Sequence, residues 1–122
     1  MKGKILAIDD EMEVCDLLKT FLTRKGYEVI TANSAAEGIE KVKVEKPNVV
    51  LLDIRMPGMD GVEAINRIRE IDKDVGIIMT TAVIDEKIAQ KTVELGASDY
   101  IIKPFDLDYL EKSLIVKLAT LM

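Results

Sequence analysis

The sequence predicts an α/β fold in which five strands and five helices alternate along 122 residues. Several short segments are apolar at every position and not at alternate positions, which is typical of parallel strands covered on both faces. Between these segments, apolar residues recur at three- and four-residue spacing, which is typical of amphipathic helices. This alternation predicts one domain, residues 1–122, with a parallel sheet between two helical layers.

The boundaries of the elements follow from capping residues, glycines and breaks in the apolar runs. Strands are expected at 4–8, 27–32, 49–52, 76–81 and 99–102. Helices are expected over 11–25, from Ser34, from Asp60 to about Glu70, from Asp85 to Gly96, and from Asp106. Four of these helices begin at a residue whose side chain can accept a hydrogen bond from a backbone N–H of the first turn. Ser34 with Glu37 is expected to form a capping box. Gly26 is expected to end the first helix as a C′ residue.

The buried faces of the helices are predicted from the spacing of their apolar residues. The first helix is expected to bury Val14, Leu17, Leu18, Phe21 and Leu22, with Cys15 beside them as a core or boundary thiol. The next three are expected to bury Ala35, Ile39 and Val42, then Ile65 and Ile68, then Ile88, Thr92 and Leu95. The last carries Leu107, Leu110, Leu114 and Leu118 on one face, and Ile115, Ala119 and Met122 on another. The second stripe predicts a partner or dimer contact, unless Ile115 packs at the edge of the core.

Composition excludes several classes of function. The net charge is −5 and no basic run is present, which argues against a nucleic-acid-binding surface. No apolar window approaches the roughly 18 residues of a membrane span, and acidic residues from Asp9 onward argue against a signal peptide. The absence of histidine excludes H-E-x-x-H zinc sites and histidine-activated nucleophiles. The single cysteine, Cys15, cannot form an internal disulfide, and a reduced, cytoplasmic setting is expected.

Polar residues follow the predicted strands at the ends where the chain leaves the sheet. The central strand runs into Asp53, and the first strand runs into Asp9 and Asp10. The fourth strand ends in Thr80 and Thr81, and the fifth runs into Lys103. In open α/β sheets, ligands bind beyond the carboxyl ends of the strands, so these side chains form one candidate site.

The residue types in this candidate site suit phosphoryl transfer. Three clustered carboxylates repel one another, and a hard cation such as Mg²⁺, which prefers oxygen ligands, relieves that repulsion. A lysine and a threonine hydroxyl can bind the equatorial oxygens of a phosphoryl group. An aspartate can act as a covalent nucleophile and become an aspartyl phosphate. Spacing alone leaves open which threonine takes part, because both faces of that strand are buried.

Two other functions share this fold class and fit less well. A flavodoxin-like FMN binder needs a Ser, Thr or Gly loop after its first strand, but Asp9, Asp10 and Glu11 would repel a phosphate there. A haloacid-dehalogenase-type phosphatase places a second Asp two residues after its nucleophile, and Arg55 stands at that position here.

Four motifs in order resemble the receiver domain of two-component response regulators, the CheY-like family. They are Asp-Asp-Glu at 9–11, D-I-R-M-P-G-M-D-G at 53–61, Thr81-Ala82, and Lys103-Pro104-Phe105. The resemblance covers the whole chain. It implies a flavodoxin-like, doubly wound α/β/α fold with strand order 2-1-3-4-5, so that the topological switch lies between the two strands that end in acids.

The resemblance also implies roles for single residues. Asp53 is similar to the phosphoacceptor that takes a phosphoryl group from a phosphohistidine. Asp10 is similar to a direct Mg²⁺ ligand, Asp9 to a ligand through water, and the backbone carbonyl of Arg55 to a further ligand. Lys103 is similar to the ammonium that pairs with the phosphoryl group.

Three further roles concern the change that follows phosphorylation. The family pattern of a hydroxyl before a small residue selects Thr81 over Thr80, and Tyr100 is similar to the aromatic switch residue. The Lys103–Pro104 peptide is expected to be cis. The expected output is a change in the surface formed by the fourth helix, fifth strand and fifth helix, through which a homodimer is also expected.

The resemblance implies a partner histidine kinase or histidine phosphotransfer protein, and no contact of this domain with nucleic acid or membrane. A receiver domain catalyses only its own phosphorylation and dephosphorylation, so no enzyme acting on a separate substrate is expected. The alternative hypothesis is a receiver-fold interaction module that works without phosphorylation, and Mg²⁺ binding discriminates the two.

Overall fold

The computed structural model describes residues 2–56, 58–82 and 86–121, without the side chains of Arg55, Met56 and Asp60. The strands of its main sheet are β1 Lys4–Ile8, β2 Glu28–Ala32, β3 Val49–Asp53, β4 Gly76–Thr81 and β5 Asp99–Ile102. The helices are α1 Met12–Arg24, α2 Ala35–Glu45, α3 Gly61–Ile71, α4 Glu86–Glu94 and α5 Leu107–Thr120. A two-residue antiparallel pairing joins Arg55–Met56 to Met59–Asp60.

The main sheet is parallel throughout and has the order β2-β1-β3-β4-β5. This confirms the doubly wound architecture and the strand order 2-1-3-4-5. Because the chain steps from β1 outward to β2 and then back to β3 on the other side, the topological switch lies between β1 and β3.

The pleat of the sheet divides the core into two layers, because successive side chains on a strand point to opposite faces. Leu6 and Leu52 lie in the layer packed under α2 and α3, with Ile65 and Ile68. The other layer holds β-strand residues together with apolar residues of α1 and α5. Its central members are Ile5, Ala7, Leu51, Ile78, Ile101, Leu18, Leu22, Leu110 and Leu114. All strand positions of β3 and β4 are buried, as continuous apolar runs predict.

Most predicted boundaries and caps are confirmed. Gly26 has φ +99°, as expected of a C′ glycine, and its N–H donates to the carbonyl of Thr23. Ser34 Oγ accepts from the N–H of Glu37 at 3.1 Å. The Glu37 carboxylate accepts from the N–H of Asn33 rather than from Ser34, so the capping box closes one residue further out. Asp106 caps α5 by accepting from the N–H of Tyr109.

The prediction that Leu17 belongs to the buried stripe of α1 is wrong, because its side chain is 47% exposed. Cys15, Leu18 and Leu22 are the buried residues of α1. Leu17 lies about 100° around the helix from Leu18, on the side away from Cys15 and Leu22, which places it outside the buried face. The buried face of α1 is therefore centred between Leu18 and Cys15, and it does not extend as far around the helix as Leu17.

Other expectations about helix faces are met in part. Ile39 is only partly buried, and Gly38 lies in the buried face of α2 instead. Ile115 is 51% exposed, so it does not pack into the core, and Ala119 is exposed as well. The expected cap at Asp85 and the expected stripe residue Met122 lie outside the described residues, as does the side chain of Asp60. Among the helices of the described ranges, none is long and apolar enough to cross a lipid bilayer.

Candidate functional site

One edge of the sheet collects the polar residues that follow the strands. β1 leads into Asp9 and Asp10, and β3 ends at Asp53. β4 ends at Thr81, and β5 leads into Lys103. Since all these strands run in the same direction, their carboxyl ends meet at this edge, and the site lies over the topological switch.

The carboxylates of Asp9, Asp10 and Asp53 converge there, each offering an oxygen within 4.8 Å of the others. Asp9 and Asp53 are buried, at 1% and 5% exposed, whereas Asp10 is exposed. Hard oxygen donors at this spacing, with one of them open to solvent, fit a divalent cation such as Mg²⁺. The site therefore could hold a metal ion, with Asp10 nearest the solvent.

The ammonium of Lys103 lies among these acids. Its Nζ donates to Asp9 Oδ2 at 2.6 Å and to Asp53 Oδ2 at 3.4 Å, and it lies 3.6 Å from Glu11 Oε1. The Lys103 side chain is only 11% exposed. Charge-assisted bonds in such a partly dry setting are stronger than those between neutral groups. Lys103 therefore supplies the positive charge that lets two buried carboxylates lie side by side.

The pKa of the Lys103 ammonium reflects the same balance. Burial alone would lower this pKa, but the hydrogen bond to Asp9 and the negative charges of Asp53 and Asp9 raise it above the ordinary value of 10.5. Lys103 is therefore protonated at neutral pH and remains a cation in the site.

The backbone positions Lys103 next to β4. Its N–H donates to the carbonyl of Thr81 at 2.7 Å, which continues the pairing of β4 with β5. The peptide bond between Lys103 and Pro104 is cis. The bond from its N–H holds the lysine beside the end of β4.

Asp9 accepts hydrogen bonds from groups whose support of this acid no sequence pattern indicated. Its Oδ1 accepts from the N–H of Glu11 at 2.9 Å. Its carbonyl accepts from Asn33 Nδ2 at 3.3 Å and from the Cys15 thiol at 3.5 Å. Asn33 follows β2, so the end of β2, which carries no site acid, supports Asp9 at the end of the neighbouring strand β1. No motif marks this role, because it depends on the packing of β2 and α1 against β1.

Burial and the neighbouring Asp9 charge raise the pKa of the Cys15 thiol from 9.0 to about 11. The thiol is consequently a protonated hydrogen-bond donor at neutral pH and not a nucleophile.

Both candidate threonines are buried at the end of β4. The register places Thr80 level with Asp53, and Thr81 level with Ile102 of β5. Thr81 is therefore one residue nearer the carboxyl edge than Thr80. Tyr100 is partly buried and packs on the layer under α2 and α3. The backbone of Arg55 lies in the loop after Asp53, paired with Asp60.

Comparison with known proteins identifies the family. The response regulator receiver domain model matches residues 5–115, from the first strand into the last helix. The chain is a response regulator receiver domain. Receiver domains of this family belong to two-component signalling systems, and the fold described above is that of a CheY-like signalling protein.

Two relatives have nearly the same length as this receiver domain. Sporulation initiation phosphotransferase F of Bacillus subtilis strain 168 is 37% identical over 108 residues, which cover 88% of this chain and 87% of that protein. Chemotaxis protein CheY of the same organism is 37% identical over 109 residues, covering 88% and 91%. The receiver domain therefore resembles proteins in which the matched region is nearly the whole chain.

A third relative is longer. The alkaline phosphatase synthesis transcriptional regulatory protein PhoP of Bacillus subtilis strain 168 is 41% identical over 105 residues, covering 86% of this chain and 44% of that protein. The chain thus spans less than half the length of this transcriptional regulator.

Among solved structures, a CheY-like receiver domain protein from Methanospirillum hungatei JF-1 has a TM-score of 0.93 at 31% identity. The match covers 97% of this chain and 94% of that chain.

Proposed function

We propose that this receiver domain is a phosphorylation switch in which Asp53 accepts a phosphoryl group from a phosphohistidine of a partner protein. The observation that carries the proposal is the Lys103 ammonium, which lies between the buried carboxylates of Asp9 and Asp53. The partner is a sensor histidine kinase or a histidine phosphotransfer protein. The chain itself has no histidine, so it cannot be the phosphohistidine donor.

The metal in this proposal is Mg²⁺, held by the three clustered acids. Both oxygens of Asp9 already accept bonds, from Lys103 and from the N–H of Glu11. This favours direct ligation by the exposed Asp10 together with Asp53, and an indirect role for Asp9 through water. The backbone carbonyl of Arg55 is the proposed further ligand. When bound, Mg²⁺ neutralises charge on the carboxylates and on the phosphoryl oxygens.

In the proposed reaction, a carboxylate oxygen of Asp53 attacks phosphorus as the P–N bond to the donor imidazole breaks. The imidazole leaves with the bonding electron pair and takes up a proton, and an acyl phosphate forms on Asp53. Lys103 Nζ, 3.4 Å from Asp53 Oδ2, is near enough to pair with a phosphoryl oxygen. The Thr81 hydroxyl supplies the second bond, and its attraction to the phosphoryl group draws the end of β4 toward the site. Catalysis is confined to this self-phosphorylation and to the later hydrolysis of the acyl phosphate, in which water restores the Asp53 carboxylate and releases inorganic phosphate.

The proposed output is a change in the surface of α4, β5 and α5, with Tyr100 moving inward when Thr81 is drawn to the phosphoryl group. Exposed apolar residues on this surface support the proposal, because such residues mark contact sites when they cluster. They are Val93, Ile102, Tyr109 and Val116. A homodimer through this surface belongs to the proposal, as do a cytoplasmic location and a single domain over residues 1–122.

The test is phosphorylation by acetyl phosphate with Mg²⁺, followed by intact-mass measurement. The native chain is expected to gain one phosphoryl group when Mg²⁺ is present, and Asp53→Asn is expected to gain none. Asp108→Asn, which removes an exposed acid of α5, is the matched control and is expected to behave as the native chain. A mass gain that persists in Asp53→Asn would overturn the assignment. A native chain that neither gains mass nor binds Mg²⁺ would favour the phosphorylation-independent module.

A further inference from the structure

One carboxylate outside the acid cluster links β5 to α5. Asp99 Oδ2 accepts from the Tyr109 hydroxyl and from the Ser113 hydroxyl, each at 2.8 Å. Asp99 Oδ1 accepts from the backbone N–H of Tyr100, also at 2.8 Å. The same side chain therefore contacts the backbone of the proposed switch residue and two side chains of the last helix.

The local structure explains why these groups meet. Tyr109 and Ser113 are four residues apart, so they lie on the same face of α5. The Tyr109 N–H is fixed by the Asp106 cap, which sets where α5 begins. β5 is an edge strand of the sheet, and Asp99 is its first residue. The hydrogen bond to Asp99 also raises the pKa of the Tyr109 phenol, so the hydroxyl remains a donor over the neutral range.

Tyr100 and α5 lie on opposite faces of the sheet. Tyr100 packs against the layer under α2 and α3, whereas Leu110 and Leu114 of α5 pack with Ile101 in the other layer. A movement of the Tyr100 ring therefore does not push on α5 directly. Asp99 is bonded to the backbone of β5 on one side and to α5 on the other, so a change in that backbone at Tyr100 would reach α5 through Asp99.

We propose that Asp99 is a positioning residue that couples α5 to the backbone of β5 at Tyr100, so that phosphorylation at the site changes the orientation of α5. The inference rests on the proposed function, because it assigns the route from the phosphoryl site to one half of its output surface. The physical warrant is the pair of charge-assisted hydrogen bonds from Tyr109 and Ser113, which are stronger than neutral ones. In this proposal α5 has two arrangements. Phosphorylation of the site shifts the equilibrium between them, and the bonds to Asp99 transmit that shift.

The test follows backbone amide shifts of the ¹⁵N-labelled full chain upon addition of beryllium fluoride with Mg²⁺, which mimics a phosphoryl group on an aspartate. The key variant is Tyr109→Phe combined with Ser113→Ala, which removes both hydroxyl donors and keeps the apolar bulk. The control is Thr120→Val, because the bond of the Thr120 hydroxyl among the described residues is to the carbonyl of Lys117 in its own helix. Asp99→Asn is the second variant, because its amide has one accepting oxygen where the carboxylate has two. It therefore cannot accept at one atom from the Tyr100 N–H and at the other from the two hydroxyls of α5.

In the native chain and in Thr120→Val, amides around Asp53 and amides of α5 are both expected to shift. In the double variant, and in Asp99→Asn, the shifts around Asp53 are expected to persist while those of α5 fall to about half or less. Unchanged shifts of α5 in both variants, or a native α5 that does not respond, would overturn the inference and leave the proposed function standing. A native chain without any response around Asp53 would overturn the proposed function and the inference with it.

Discussion

Lys103 brings its Nζ to 2.6 Å from Asp9 Oδ2 and 3.4 Å from Asp53 Oδ2. At the scale of single residues, this ammonium is the feature on which the site depends. Without it, two buried carboxylates would face each other with no positive partner, which is costly in a poorly solvated environment.

Replacing this ammonium tests its contribution to stability. Lys103→Met is expected to lower the free energy of unfolding by roughly 3 kcal/mol without Mg²⁺, because it leaves buried charges unpaired. Added Mg²⁺ is expected to restore part of that loss, and more than it adds to the native chain. Urea denaturation measures both effects.

The control for that variant is Lys43→Met, which breaks an exposed pair with Glu40. Exposed pairs contribute about 0–1 kcal/mol, so this variant is expected to lose little. Equal losses in Lys103→Met and Lys43→Met would contradict the role given to Lys103.

The two threonines of β4 can be separated by isosteric substitution. Thr81→Val is expected to keep phosphorylation of Asp53 and to abolish most of the amide-shift response of β5, because the hydroxyl nearest the edge is lost. Thr80→Val is expected to leave that response intact. Amide spectra with beryllium fluoride and Mg²⁺ measure it, and a response lost only in Thr80→Val would assign the role to Thr80.

The Cys15 thiol offers a test of burial with a defined pH dependence. Its folded pKa of about 11 lies above the ordinary 9.0, so its contribution to stability is complete below pH 9.0 and is lost as pH rises through about 11. Near pH 9.0, where half of the unfolded thiol but only about one hundredth of the folded thiol is ionised, iodoacetamide is expected to label the folded chain about 50-fold more slowly than the urea-unfolded chain. Equal labelling rates for the two states would contradict the buried, hydrogen-bonded thiol.

Sequence could predict the acids and the lysine, because each follows a recognisable strand. It could not predict Asn33 and Cys15 as supports of Asp9, because their bonds depend on how α1 and β2 pack on β1. It also left Thr80 and Thr81 undecided without the family resemblance, since both positions of β4 are buried.

At the scale of elements, the loop between β3 and α3 is constrained by a close approach at Gly61. The Gly61 N–H donates to the carbonyl of Ile54 at 2.8 Å, and a Cβ at this position would lie 2.8 Å from the Cα of Ile54. The backbone of Ile54 cannot move aside for a methyl group as the end of a flexible side chain could. This explains why α3 begins at a glycine.

Gly61→Ala is therefore expected to destabilise the fold by about 1–3 kcal/mol, although alanine favours helices by about 1 kcal/mol over glycine. Urea denaturation measures the change. Asn66→Ala, on the exposed face of α3, is the control and is expected to be neutral or slightly stabilising. A Gly61→Ala variant as stable as the native chain would show that the loop yields to the added methyl group.

The element boundaries were largely predictable, because caps and glycines act locally. β4 and β5 span the predicted residues, and Ser34 and Asp106 cap as expected. The failure at Leu17 has a different origin. The spacing of apolar residues does not fix the centre of a helix's buried face when a cysteine, which can be buried or exposed, borders the apolar stripe. That centre is set by the strands against which the helix packs.

At the scale of the whole molecule, alternation of strands and helices predicts the layers but not which strands are neighbours. The order β2-β1-β3-β4-β5 places β1 and β3 side by side, and this pairing brings Asp9 and Asp10 to Asp53. Local pattern contains no information on that pairing, so the resemblance to a family supplied it. The acid cluster is thus a property of topology as much as of residue type.

The central claim is that this topology makes Asp53, and none of the neighbouring acids, the phosphoryl acceptor. Borohydride reduction of the chain after treatment with acetyl phosphate and Mg²⁺, followed by peptide mass mapping, locates an aspartyl phosphate as homoserine. The account predicts homoserine at position 53 alone. Homoserine at position 9 or 10, or at no position in a chain that has gained a phosphoryl group, would contradict it.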